Sequence, residues 1–216
     1  MKEEEASEKG ICIEALKQEQ RKLAKLVSLK DAFDFNLATR FAGIDIQVLE
    51  KEILVSIIVL DENFEVVDNK YARARARFPY IPNYRSFREL PIILEAYKKI
   101  EEIPDVIFIK AQGTTHPRLL GLASHLGISI NKPVIGIVNS ILFGEGEETI
   151  KILNKQVAKK IITKEKARPI YVSPGHLISL KSAVALTKKT TKEPHKLPEP
   201  LVEAKKYSDK IKKEFS

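Results

Sequence analysis

Asp45 stands at the end of an otherwise apolar run, Phe41-Ala42-Gly43-Ile44-Asp45. A carboxylate inside a buried strand is costly unless it is ion-paired or holds a metal, and both readings are open here. Glu89, in Phe87-Arg88-Glu89-Leu90, puts a second carboxylate near the start of a predicted helix, a position that favours acids on dipole grounds alone. In Phe78-Pro79-Tyr80-Ile81-Pro82 two prolines stiffen a loop that carries an aromatic and an apolar side chain. Such a tip suits insertion between stacked bases, or it is a proline-rich hairpin end packed on the body. Arg73, Arg75 and Arg77 alternate with alanines, so their guanidiniums share one side of a strand, either for phosphate contact or as a solvated edge. Gln112-Gly113-Thr114-Thr115-His116-Pro117-Arg118 follows a buried strand and opens a helix, where backbone N–H groups converge and loops of mixed sheets bind ligands.

Periodicity supplies the elements that must position these groups. Residues 3–30 read as one helix, with Ile13, Leu16, Leu23, Leu26 and Val27 on one face. Strands are predicted at 41–48, 53–60 and 64–77, parted by Glu50-Lys51 and by Asp61-Glu62-Asn63, which makes an antiparallel meander. A helix over 87–100, a buried strand over 105–111, a helix over 117–127 and strands at 134–138 and 170–172 follow. A helix over 178–187, a rigid Leu197-Pro198-Glu199-Pro200 linker and a basic helix over about 201–215 complete the chain. A meander followed by crossovers implies an α/β fold: one domain across 1–216, with a mixed sheet and helices on both faces.

Composition narrows the class. The 216 residues are 44% hydrophobic and 31% charged, which excludes wholesale disorder. No run approaches the ~18 apolar residues of a membrane span. The opening Met1-Lys2-Glu3-Glu4-Glu5 lacks the apolar core of a signal peptide, and a single cysteine, Cys12, excludes a disulfide framework. A reducing, cytoplasmic setting is the default, with no membrane partner. The net charge of +8 is unevenly spread: residues 151–216 carry 17 basic and 6 acidic side chains, against 20 and 23 in residues 1–150. A basic last third suits a polyanionic partner, although lysines also solubilise exposed helices. Abundant Lys, Glu and Ile with no Trp hints at a thermophilic protein.

Several segments occur together in a recognisable order: Ala42-Gly43-Ile44-Asp45, Phe78-Pro79-Tyr80-Ile81-Pro82, Phe87-Arg88-Glu89, Gln112-Gly113, His116-Pro117-Arg118 and Gly121-Leu122-Ala123-Ser124-His125-Leu126-Gly127. Ile135-Gly136-Ile137, Ser173-Pro174-Gly175-His176 and Leu197-Pro198-Glu199-Pro200 complete the set. Over roughly residues 15–210 the chain thereby resembles the endonuclease V family, which nicks nucleic acid near deaminated adenine. The resemblance implies a ribonuclease H-like fold, a DNA or RNA partner that contains inosine, and Mg2+ as cofactor. It places Asp45 as a metal ligand, Glu89 in the acidic cluster, His116 at the pocket and Tyr80 as the wedge. Tyr80, Ile81, Pro82, Gly113, Arg118, Gly121 and Leu142 form the expected nucleic-acid-contacting set.

Three positions depart from the family pattern. Lys110 stands where the resemblance implies the second metal-binding aspartate, Asn139 where it implies a lysine, and Lys205 where it implies an aspartate or histidine of the last helix. An ammonium cannot ligate magnesium and repels it at short range. The expectation is that Lys110 and Lys205 replace the ion electrostatically and hold Asp45 and Glu89 together. Cleavage 3′ of inosine is then lost or impaired while binding survives, with no cofactor needed. The alternative is an active magnesium-dependent nuclease with a reduced ligand set. No protein partner is legible.

Overall fold

A computed structural model describes residues 3–8, 10–50 and 52–215. Eight strands form one sheet in the order β3-β2-β1-β4-β5-β8-β7-β6. The meander is β1 (Phe41–Val48), β2 (Glu52–Leu60) and β3 (Val66–Arg75), antiparallel as expected. Its first turn includes Lys51, which lies outside the described residues. β4 (Val106–Ile109) and β5 (Val134–Val138) add in parallel beside β1, so the centre of the sheet is parallel and its flanks are antiparallel. β8 (Ile170–His176) is antiparallel to β5. It outruns the expected 170–172 because Pro174 is accommodated at a register shift rather than ending the strand.

Helices cover both faces. α3 (Arg85–Tyr97) and α4 (Leu122–Ile130) bury Leu90, Ile93, Leu122 and Leu126 against Ala42, Ile44 and Ile107. α5 (Leu180–Thr190) and α6 (Glu199–Glu214) bury Ala183, Leu186 and Leu201 against Phe41, Phe108 and Ile135 on the other face. Burial on both sides explains why Ile53–Leu60 reads as an apolar run broken only by Ser56. Gly43 is required by this packing, since a Cβ there would sit 1.8 Å from Pro200 O at the start of α6.

Three expectations need correction. The single N-terminal helix is two, α1 (Glu3–Glu8) and α2 (Ile13–Ala24), interrupted around Gly10, whose φ is +79°. Lys9 lies outside the described residues. The helix expected from Pro117 begins only at Leu122, because Leu119 adopts φ 55° and the Ala123 N–H donates to Gln112 O, closing a loop first. A lysine-rich hairpin, β6 (Thr149–Ile152) and β7 (Lys155–Ile161), went unanticipated; Leu153 and Asn154 turn it at φ 50° and 61°. Among the described residues no helix is long and apolar enough to cross a membrane.

Candidate functional site

The carboxyl ends of the three parallel strands converge, as they do at ligand sites of open α/β sheets. β1 brings Asp45 there, β4 leads into Lys110, and β5 leads into Asn139. Asp45 is buried at 5% exposure, and Lys110 Nζ lies 4.0 Å from its Oδ1. The expected Asp45–Lys110 contact therefore forms, through an ammonium that remains partly in solvent. Period two along β1 puts Gly43, Asp45 and Gln47 on the α6 face. Gln47 Nε2 donates to Asp209 Oδ1 at 2.8 Å and approaches Asp45 Oδ2 at 3.4 Å.

Lys205 does not meet Asp45 or Glu89. It pairs with Asp209, one turn further along α6, where i,i+4 spacing puts the two side chains on one helical face. The Lys205 hydrogen bond, then that from Gln47, holds the Asp209 carboxyl below its ordinary range. Glu89, 2% exposed, is neutralised by Arg85, one turn earlier on α3. Arg85 Nε lies 2.8 and 2.7 Å from the two Glu89 oxygens, and Arg85 Nη1 donates to Lys110 O at 3.2 Å. The two-lysine exchange expected from sequence is thus three separate pairs, with an arginine at Glu89. Sequence reading missed Arg85 and Asp209, although both sit four residues from a partner of opposite charge.

This donor set does not suit magnesium, which wants several hard oxygens in octahedral array. Asp45 faces an ammonium and both Glu89 oxygens face a guanidinium. Among the described residues no three His, Cys, Asp or Glu side chains are grouped to hold a metal. Asn139 is exposed, and its Oδ1 accepts from Lys196 Nζ at 3.3 Å.

The loop that carries Tyr80 and Pro82 helps line a cavity of about 230 Å³, together with Arg85, His116, Gly121 and Leu142 among others. Tyr80 and Leu142 are exposed, at 53% and 73%. Ile81 corrects the expected contact set: it is fully buried against Ala6, Ile13 and Tyr84, so it anchors the loop from beneath. Asn83 closes the loop at φ 68°, a conformation asparagine tolerates. Its carbonyl accepts from Gln20 Nε2 and His116 Nε2, each at 2.9 Å.

His116 is a brace. The Arg118 backbone N–H donates to its Nδ1 at 3.2 Å, which leaves the ring proton on Nε2 for Asn83 O. Burial lowers its pKa to about 4, so the imidazole is neutral at pH 7 with both nitrogens engaged. Arg118 also turns inward. Its Nε donates to Gln20 Oε1 at 2.5 Å, and its guanidinium lies 4.9 Å from the Tyr84 ring centroid. Tyr84 in turn donates to Glu3 Oε1 at 3.0 Å, tying α1 to the loop. Gly113 and Gly121 act through shape. The Gly113 N–H donates to Ser173 Oγ and the Gly121 N–H to Gly113 O, so neither offers a free donor, while a Cβ on Gly121 would strike Gln112 O at 2.2 Å. Arg73, Arg75 and Arg77 are all exposed, but Arg73 is committed to Glu52 at 2.5 Å and to the Phe215 ring at 4.4 Å.

A mixed sheet of this order, with helices on both faces and an acidic site at its parallel centre, defines an α/β protein of the ribonuclease H-like class. Residues 21–206 match the family model of Endonuclease V. The endonuclease V of Thermosipho melanesiensis is 38% identical over 208 residues, covering 90% of each chain, and that of Dictyoglomus thermophilum is 37% identical over 201 residues, covering 88% of this chain and 87% of the relative. The Streptomyces avermitilis endonuclease V structure superposes with a TM-score of 0.86 at 27% identity, covering 94% of this chain and 93% of the other. A structure of Ciona intestinalis endonuclease V in complex with a 24mer DNA containing an inosine followed by a ribo-adenosine superposes with a TM-score of 0.84 at 25% identity, covering 94% and 99%. The chain belongs to the endonuclease V family.

Proposed function

We propose that this protein binds DNA or RNA at inosine sites without efficient cleavage. The observation that carries this reading is the pairing of Asp45 with Lys110 and of Glu89 with Arg85. Each buried acid finds its counter-charge in the chain itself, so among the described residues no oxygen set is left to activate water on magnesium. The parts that serve recognition are intact: an exposed Tyr80 on a braced loop, a cavity behind it and a lysine-rich last third. The inosine-containing DNA held by the Ciona relative supports the choice of ligand.

A second reading, an active nuclease with a shortened ligand set, draws on Asp209, which shares the Gln47 amide with Asp45. Nicking assays on inosine-containing DNA and RNA strands, with magnesium and with manganese and also at high temperature, separate the two. The binding reading expects cleavage slower by about a hundredfold or more than an active relative assayed alongside. Binding should persist in EDTA and weaken steeply as salt rises. Nicking at the relative's rate would overturn it.

A further inference from the structure

We propose that Arg85 is the side chain that reads the base entering the cavity and that Glu89 is its positioning residue. This rests on the nucleic-acid-binding reading above and goes further by naming the residue that discriminates. Arg85 is held at two points: Nε on the buried Glu89 carboxylate and Nη1 on Lys110 O. A planar guanidinium fixed at two nitrogens cannot swing freely. Its remaining nitrogen, Nη2, has no partner among the described residues, and Arg85 lines the cavity with its side chain 37% exposed. Ser86, the next residue, lines the same cavity, and its Oγ is buried without a hydrogen-bond partner.

The walls settle what this cation meets. Leu120, Leu122, Val138 and Leu142 line the cavity, with Tyr80 and Pro82 among the wedge-loop residues. Apolar walls around a few polar groups suit a displaced base, whereas a phosphate would be desolvated there. Arginine offers donors only, so the edge it reads must consist of acceptors. Hypoxanthine and guanine present O6 and N7, both acceptors, while adenine places an amino donor where O6 would be. His116 cannot take over this role, because both its ring nitrogens are occupied.

The test is fluorescence anisotropy of the full chain in EDTA at low salt, on single strands carrying one central hypoxanthine, adenine, unsubstituted purine (no O6) or 7-deazahypoxanthine (no N7). Wild type should prefer hypoxanthine over adenine by about tenfold, with both acceptor-deleted bases in between. In Arg85→Leu the preference should fall within about twofold, through a larger loss on the hypoxanthine strand than on the adenine strand. An Arg85→Leu protein that keeps the tenfold preference overturns the proposal and leaves nucleic-acid binding standing. Equal weakening on every strand overturns it in favour of a phosphate contact. No binding of any strand by wild type removes the underlying functional reading as well. Should Arg85→Leu fail to fold, the wild-type series decides alone: acceptor-deleted bases that bind as tightly as hypoxanthine leave Arg85 nothing to read.

Discussion

The sheet ends in two polar regions of opposite character. Around Asp45 and Glu89 the polar groups are ions, each acid matched by a cation of the same chain: Lys110, Arg85 and, on α6, Lys205 with Asp209. Around Asn83 they are mostly neutral: Gln20 and a neutral His116 converge on one carbonyl, with the Arg118 guanidinium stacked inward on Tyr84. The ionic region keeps the fold electrically balanced but offers no clustered ligands. The neutral region keeps a loop and a cavity in shape. The loop is thus held by hydrogen bonds at the Asn83 carbonyl in which the ion pairs of Asp45 and Glu89 take no part.

Breaking the ionic region should have the largest effect. Glu89 keeps 3% of its side-chain exposure and Arg85 37%. Loss of a fully buried partner costs ~3–5 kcal/mol; with Arg85 partly in solvent, Arg85→Leu should cost about 2–3 kcal/mol in urea unfolding at pH 7. A loss below about 1 kcal/mol would show that Glu89 does not depend on Arg85 for its counter-charge.

The neutral region should break more gently, and its signature lies in the pH slope of stability. His116 titrates at about 4 instead of 6.5, so the unfolded chain binds its proton first as pH falls. That group contributes stability in full above pH ~6.5, and the contribution is lost as pH falls toward ~4. His116→Gln, which can still donate to Asn83 O, should cost about 1 kcal/mol at pH 7 and lower the pH slope of stability over that interval by about one proton. Urea unfolding at pH 7, 6 and 5 reads both. An unchanged slope would show that His116 is not neutral in the folded state.

The contrast also explains what could be read from the residues alone. The meander, the central strands and the helices on both faces were legible because burial writes period two and continuous apolar runs into 41–60 and 105–109. Asp45 and Lys110 were legible as neighbours through motif order. Partner choice was not, because a lysine stem reaches several acids and the sequence does not say which. The i,i+4 spacings Arg85–Glu89 and Lys205–Asp209 were the available signal, and each outcompeted the long-range pair. Ile81 was misassigned for a related reason: an apolar residue at a loop tip looks exposed until α1 and α2 are known to pack beneath it. The β6–β7 hairpin hid behind lysines, which mask alternation on a half-exposed edge.

The smallest predicted effect sharpens the comparison most. Lys205 and Asp209 remain 45% and 48% exposed, and α6 presents them as a surface pair. Such a pair is worth ~0.3–0.5 kcal/mol and is screened by salt. Lys205→Ala should therefore lower stability by no more than about 0.5 kcal/mol, less still at high ionic strength. The sign with pH follows from Asp209, whose carboxyl the Lys205 hydrogen bond holds below its ordinary range. Its contribution is present above the ordinary carboxylate pKa and vanishes as pH falls through the lowered value, so wild type and variant should converge in acid. If Lys205 were instead the counter-charge of buried Asp45 and Glu89, its removal would cost ~3 kcal/mol or more and salt would barely soften the loss. Urea unfolding of Lys205→Ala at low and high salt distinguishes a surface pair on α6 from a cation that stands in for a metal.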